Sequence, residues 1–582
     1  MPHPTAISLP GRRRRLLTLT LSVLATLWVL PAAAAEIDDT LARELPTQRW
    51  QVQSAWPEAA KRIKRFYARR DHRPLWLTGS GLTRRGAELV AALDAAPSHG
   101  LDLDDYHASQ INRLLATLRE RLASGGDLAE PASELELTLT DAYLTFALHL
   151  GRGRLPPAML DAADQAHIEP PPVDLGQVLT AAANRSPGAA LAELVPTSRE
   201  YVALRQAHEH YRQLALQEAP ATVPAEPVLR PGDSHPAVRR LRARLRYWGD
   251  LSAAADTDTS TYDVALQQAV EQFQTRHGLV ADGIIGGGTR AALNRDAASY
   301  AQRIAVNLER WRWLPRQFGE RYIQVNVPDF RMQLIDQGKV ILTQRVVVGR
   351  EFRPTPLYTG SMTYMVANPY WNVPHVIAAE DMLPKIQRNL DYLRSRNIVA
   401  FRKRPDGSLV PVPIEQVPWQ SLSADNFPYV LKQAPGPDNA LGQMKFMFSN
   451  PYDVYLHATP ANQLFDYDKR AFSSGCIRLE APRDLADYLL KDQPRWAEGG
   501  FQQLLDSREN RTVLLRDPLP VYLVYWTAWV DEESRVHFRP DVYARDEVML
   551  TALERVRDDR RRSHRLAAAM TTPDPTAQAS AR

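Results

Sequence analysis

Cysteine is all but absent. The 582 residues hold one, Cys476, so no intrachain disulfide can form. Net charge is nearly absent too: 71 basic and 67 acidic residues leave a formal +4, and the first 35 residues alone carry Arg12 to Arg15 with no acid or lysine. The rest of the chain is therefore formally neutral, which disfavours a generally basic, nucleic-acid-binding body. A P-loop and a dinucleotide fingerprint are missing. His208-Glu209-His210 lacks the i, i+4 histidine pair of a zinc helix, and one thiol makes a poor structural zinc site, so neither metal nor cofactor is expected. What is present is ordinary globular composition, 44% hydrophobic and 24% charged, which excludes a fibrous or wholly disordered chain. At about 150 residues per domain the length predicts three to four units rather than one core.

Arg12–Arg15, the apolar stretch Leu16–Leu30 and the small residues Ala32–Ala35 have the layout of a secretory signal over residues 1–35. Export to the periplasm is the expectation. A retained inner-membrane anchor stays open as the alternative, because Leu16 to Ala35 is just long enough to span. In either case the lone thiol faces an oxidising compartment, where it is a buried small hydrophobe or a reactive group.

Periodicity divides the remainder. Residues 36–217 read as a helical scaffold domain, with Ile111, Leu114, Leu115, Leu118 and Leu122 at helical spacing and no chemical motif. Residues 218–232 are a proline-rich linker. Residues 233–297 predict three short helices: one through Val238 and Leu245, one through Leu266 and Phe273 closing at Gly278, and one N-capped by Thr289. From Tyr322 the period changes to two. Ile323, Val325 and Val327, then Phe330, Met332 and Leu334, then Met444, Phe446 and Phe448 alternate with polar neighbours, predicting a mostly antiparallel β sandwich or barrel within 298–546. Between 377 and 440 prolines and scattered aromatics break the pattern, and this insertion, with Trp419, Phe427 and Tyr429, is the candidate cap. Residues 547–582 read as a helical end and a disordered tail. The fold class is therefore multidomain α+β.

Chemistry concentrates in two segments, Tyr455-Leu456-His457-Ala458-Thr459-Pro460 and Phe472-Ser473-Ser474-Gly475-Cys476-Ile477-Arg478-Leu479. A nucleophilic sulfur must be thiolate and needs a base or a positive field. His457 can supply the base and Arg478 part of the field. Glycine at 475 permits a sharp turn that aims consecutive N–H groups at one point, as an oxyanion requires. Tyr455 lies two residues before His457 on the same strand face and lines the same pocket. Side-chain evidence for a third triad member is missing; a backbone carbonyl near Ala458 is the alternative means of orienting the imidazole.

These two segments resemble the signature of the L,D-transpeptidase catalytic domain, the YkuD domain. The run from Phe273 through His277-Gly278-Leu279 and Asp282-Gly283 to Thr289 resembles a peptidoglycan-binding module. Together with Asn307-Leu308-Glu309-Arg310-Trp311-Arg312, Asn368 to Pro374 and Tyr525 to Trp529, the chain is similar to the YcbB-type murein L,D-transpeptidases. The resemblance implies that Cys476 is the acylated nucleophile, that His457 is the general base and acid, and that the amides of Ser474 and Gly475 form the oxyanion hole. It implies transfer from tetrapeptide stems with release of D-Ala, giving 3→3 diaminopimelate cross-links, acylation by carbapenems, and a part in cell-wall biogenesis and cell shape. Candidate substrate-binding residues are Arg478, Tyr455, Trp371 and Asn372. The partners implied are donor and acceptor stem peptides, with penicillin-binding proteins or a glycosyltransferase left open. One departure stands out: many members carry histidine where this chain has Ser474, and since that residue acts mainly through its backbone, little loss is expected. Two other readings stay open, a cysteine peptidase or amidase hydrolysing wall peptides, and a non-catalytic wall-binding protein.

Overall fold

A computed structural model describes residues 32–46, 57–157, 168–252, 259–496 and 499–569. The expected signal through residue 31 and the expected tail from residue 570 lie outside the described residues. Among the described residues no helix is long and apolar enough to cross a membrane, and no group of acids, histidines or cysteine could hold a metal ion. The chain divides into two compact units, one of residues through Gly151, Pro172–Val195 and Val556 onward, the other of Arg152–Pro171 and Pro196–Arg555.

The first unit is helical and organised around Ala129–Arg152, which is buried from Pro131 to Gly151 except at Glu134. A helix buried on all sides must be wrapped by others. Its buried Glu136 accepts from the Tyr67 hydroxyl at 2.6 Å and from the Trp76 amide at 3.0 Å.

In the second unit Arg199–Ala215 lies against Ala297–Trp311. By its contacts this helix groups with the second unit, although it lies before the expected boundary at 217. Its buried stripe of Tyr201, Leu204, Ala207 and Tyr211 needs an apolar partner, and finds one where the Tyr211 and Tyr300 rings meet at 5.8 Å. Three helices follow as expected, Ala237–Trp248, Val264–Arg276 and Gly287–Asn294, with Gly278 at φ +65° and Gly283 at φ +70°. Thr289 is not the N-cap of the third. That position is Gly286, and the buried Thr289 hydroxyl instead accepts from Gln274 Nε2 at 3.1 Å.

The β region is built on a nine-stranded sheet. Its order is Ala471–Ser473, Lys339–Gly349, Ile477–Leu479, Leu456–His457, Met444–Phe448, Tyr358–Ala367, Arg511–Val524, Arg321–Asn326 and Arg331–Asp336. Arg331–Asp336 also pairs with Lys339–Gly349, so the sheet closes on itself as a mostly antiparallel barrel. The segments at Asn307 and Thr527 brace it from outside. Asn307 Nδ2 donates to Thr527 Oγ1 at 2.8 Å, Arg310 pairs with Asp546 at 2.6 Å, and the Trp311 and Trp526 rings stack at 4.4 Å.

The insertion is a folded subdomain with its own core and a four-stranded sheet ordered Trp371–Asn372, Tyr429–Gln433, Ile398–Lys403, Leu409–Val412. It therefore begins before residue 377, because the two-residue strand at Trp371 is too short to show a period. Trp419, Phe427 and Tyr429 are buried and their rings meet one another at 6.1 to 6.4 Å. They are the interior of the subdomain, as an insertion of this size needs a core to fold.

Candidate functional site

Strand register assembles the site. His457 pairs with Lys445 on one neighbour and with Arg478 on the other. Paired side chains share a face of a sheet, and so do residues two apart. Lys445, Tyr455, His457, Cys476 and Arg478 therefore project from the same face. The Tyr455 ring lies 5.7 Å from the His457 ring, and Lys445 Nζ 5.1 Å from the Tyr455 ring. Lys445 escaped the sequence reading, although the alternation of Met444, Phe446 and Phe448 already put it opposite the core.

Cys476 sits half-buried in the turn between Ala471–Ser473 and Ile477–Leu479. Gly475 has φ +113°, a backbone region closed to most side chains. Ser473 Oγ donates to the Cys476 carbonyl at 2.6 Å and accepts from the Gly475 amide at 3.2 Å. The Gly475 amide, expected to face an oxyanion, is thus engaged by a neighbour. The Cys476 amide makes no hydrogen bond among the described residues. Thr355 Oγ1 ties the turn to the preceding strand, donating to the Gly475 carbonyl at 2.8 Å and accepting from the Gly349 amide at 2.9 Å.

His457 is buried, and its Nδ1 lies 2.6 Å from the Ala458 carbonyl. A carbonyl only accepts, so Nδ1 carries the proton and Nε2 keeps its lone pair. The backbone carbonyl expected in place of a third triad residue is this one. Burial, aided by the Arg478 charge, lowers the imidazole to about 3. Desolvation raises the Cys476 thiol to about 11, against the opposing pull of the Tyr455 amide, Arg478 and the Tyr455 hydroxyl. The resting pair is thus neutral thiol and neutral imidazole. The thiol points to the Asp453 carbonyl at 3.7 Å, and among the described residues no hydrogen bond joins it to His457. Such contacts often tighten only when substrate is bound.

Arg478 makes no ion pair among the described residues, and its Nε is buried without an acceptor. Trp371 and Asn372 lie on a different sheet from this group. They form an edge strand of the inserted subdomain, with Trp371 packed on that subdomain's core, and no hydrogen bond, ion pair or ring contact joins either to Cys476 among the described residues. Ser474 differs from expectation most. Its side chain is engaged: Oγ accepts from Arg350 Nη2 at 3.0 Å and from Arg353 Nη1 at 3.2 Å. Neither arginine was singled out in the sequence, where both read as ordinary loop charges after Gly349.

Comparison with known proteins matches parts of the chain to described families. Residues 320–498 match the family described as the L,D-transpeptidase catalytic domain, YkuD. Residues 234–293 match a "Putative peptidoglycan binding domain", and residues 61–207 a scaffold domain. A Haemophilus influenzae protein named "Putative L,D-transpeptidase" is 36% identical over 250 residues, which are 43% of this chain and 49% of that protein. The chain thus spans about half the length of that curated relative. The N-acetylmuramoyl-L-alanine amidase CwlM of Mycobacterium tuberculosis is 35% identical over 117 residues, 19% of this chain and 27% of its own. Among solved structures, an L,D-transpeptidase from Xylanimonas cellulosilytica covers 52% of this chain and 99% of its own at 15% identity, with a TM-score of 0.17.

Proposed function

We propose that the chain, whose residues 320–498 constitute an L,D-transpeptidase catalytic domain, is a periplasmic murein L,D-transpeptidase that forms 3→3 cross-links through an acyl-enzyme on Cys476. The observation that carries this reading is an imidazole whose Nδ1 proton is held by the Ala458 carbonyl, on the strand face beside the turn that bears the chain's single thiol. Nε2 is left as the base, and register puts both side chains on one face.

The thiol is protonated at rest, so proton transfer accompanies attack. His457 takes the proton as sulfur bonds to the carbonyl carbon that links the third stem residue to terminal D-Ala. The oxyanion is received by the backbone amides of the turn, that of Cys476 among them. The C–N bond then breaks, His457 returns the proton to the departing amine, and a thioester remains. The side-chain amine of diaminopimelate on a second stem attacks the thioester, an amide forms, and the thiol is regenerated. Stem peptides carry carboxylates, and Arg478, a cation without a counter-ion among the described residues, suits one of them. Tyr455 closes the pocket beside the sulfur. The module at 233–297 holds the wall while the inserted subdomain limits water, which matters because hydrolysis of the thioester wastes it. Export rests on the N-terminal segment, and stem peptides are the partners.

Incubation of the exported chain with tetrapeptide-stem muropeptides, read by mass spectrometry, tests the reading. Cross-linked dimer with free D-Ala supports it. Stem cleavage without dimer indicates an amidase or peptidase, and retention on the wall without chemistry indicates a binding protein.

A further inference from the structure

The turn that carries the nucleophile is connected by charge to the inserted subdomain. The loop after Gly349 is stitched to that turn by its backbone: the Arg350 amide donates to the Ser473 carbonyl at 3.0 Å, and Thr355 bridges Gly349 to Gly475. A Cβ at Gly349 would run into the Arg353 carbonyl, so the loop leaves the strand by a path only glycine allows. Along this path two guanidinium groups converge on the same two oxygens. Arg350 Nη2 lies 3.0 Å from Ser474 Oγ and 3.0 Å from Asp381 Oδ2. Arg353 Nη1 lies 3.2 Å from Ser474 Oγ and 2.6 Å from Asp381 Oδ2, while its Nη2 pairs with Glu380. Asp381 and Glu380 belong to Ile377–Met382, a π-helical turn of the inserted subdomain. Single π turns are rare and recur at functional sites.

A hydroxyl has two lone pairs, and both at Ser474 are taken by guanidinium donors. The side chain is therefore held in one rotamer, immediately before the glycine of the turn. Histidine, which many members of the resembled family carry here, offers at most one acceptor nitrogen and could not take both donors. Ser474 thus does more than its backbone alone would.

We propose that Asp381, acting through Arg350 and Arg353, is a positioning residue that fixes Ser474 and with it the amides that receive the oxyanion beside Cys476. The inference rests on the acyl-transfer reading of the site. Seating of the inserted subdomain and alignment of the turn are then one event: with Asp381 in place the guanidinium groups are oriented toward Ser474, and without it they lose their anchor and the turn gains freedom.

Two reactions at the same sulfur separate positioning from general damage. Alkylation by iodoacetamide passes through no oxyanion, whereas acylation by a tetrapeptide-stem donor does. Asp381→Asn in the full exported chain is expected to slow acyl-enzyme formation by about tenfold to hundredfold, the range lost when a donor or a reacting group is misplaced. Alkylation of Cys476 is expected to stay within about twofold of the parent, and Asp381→Glu to recover most of the acylation rate. Ser474→Ala is expected to reproduce the loss, and the double variant to add little to it. An Asp381→Asn chain that acylates at the parent rate overturns the inference, and so does one in which alkylation falls as far as acylation. A parent chain alkylated by iodoacetamide but never acylated by the donor overturns the acyl-transfer reading itself, and the inference with it.

Discussion

The Nδ1 of His457 and the carbonyl of its own neighbour Ala458 stand 2.6 Å apart, a bond that fixes the imidazole tautomer without any acidic side chain. In a Ser-His-Asp arrangement a carboxylate performs this orientation and also stabilises the imidazolium. Here only orientation is supplied, and burial holds the ring neutral down to about 3. The acylation rate is therefore expected to show no acid limb near pH 6.5, where an ordinary histidine would lose its base. A fall in rate centred between pH 6 and 7 that tracks histidine protonation, followed by NMR of the labelled ring, would refute this assignment.

The raised thiol makes a complementary prediction. With a value of about 11, only about one molecule in 10⁴ carries thiolate at pH 7. The group loses its proton less readily folded than unfolded, so thiolate is disfavoured until pH passes the folded value. Alkylation of Cys476 by iodoacetamide is expected to rise about tenfold per pH unit from 7 to 10. A plateau reached below pH 8 would mean a preformed thiolate–imidazolium pair instead.

Removal of the base is expected to be costly. His457→Gln keeps a polar side chain of related size but has no basic nitrogen, and general-base contributions run about 10² to 10⁴ in rate. Single-turnover acylation measured by intact mass should fall within that span, while the circular dichroism spectrum stays that of the parent. A loss under about fivefold would assign the proton transfer to another group.

Gly475 offers a test of the turn itself. A Cβ there would meet the Pro354 carbonyl oxygen and a Val454 methyl at 3.6 and 3.7 Å, ordinary contact distances. The cost of Gly475→Ala should therefore come from φ +113° rather than from crowding, about 1–3 kcal/mol. Urea unfolding of the catalytic region, followed by tryptophan fluorescence, should show a destabilisation in that range, together with lost acylation. An unchanged midpoint with full acylation would show that the turn tolerates a side chain.

Much of this site was legible before any coordinates. The two segments around His457 and Cys476 carry residue types that chemistry requires, and the period-two alternation from Tyr322 fixed which residues face the barrel core. Register between distant strands was not legible, because which strand lies beside Leu456–His457 depends on closure of the whole sheet. Lys445 joins the site only through that pairing, and Arg350, Arg353 and Asp381 only through loops brought together by the fold. Trp371 and Asn372 show the same limit: the sequence does not show that they form an edge strand of the insertion, with Trp371 packed against its core. The helix Arg199–Ala215 shows the same limit, since a helical stripe identifies a buried face but not the partner that buries it.

Arg478→Met removes the cation from the Cys476 face while keeping an unbranched side chain. If Arg478 receives a stem carboxylate, KM for the tetrapeptide donor should rise about tenfold or more, as for other charge-assisted contacts of about 1.5–3 kcal/mol. A donor amidated at that carboxylate should lose its preference for the parent over the variant. Equal loss with both donors would assign Arg478 to bracing the turn.

The most direct measurement is the fate of the donor stem on an enzyme deprived of its sulfur. Purified parent and Cys476→Ala chains are incubated with tetrapeptide-stem muropeptides, and products and intact protein are both weighed by mass spectrometry. The parent should carry the acyl group at Cys476, release D-Ala and yield 3→3 dimers, while Cys476→Ala should yield none of these yet still sediment with peptidoglycan. Cross-linked dimer from the Cys476→Ala chain would contradict the account.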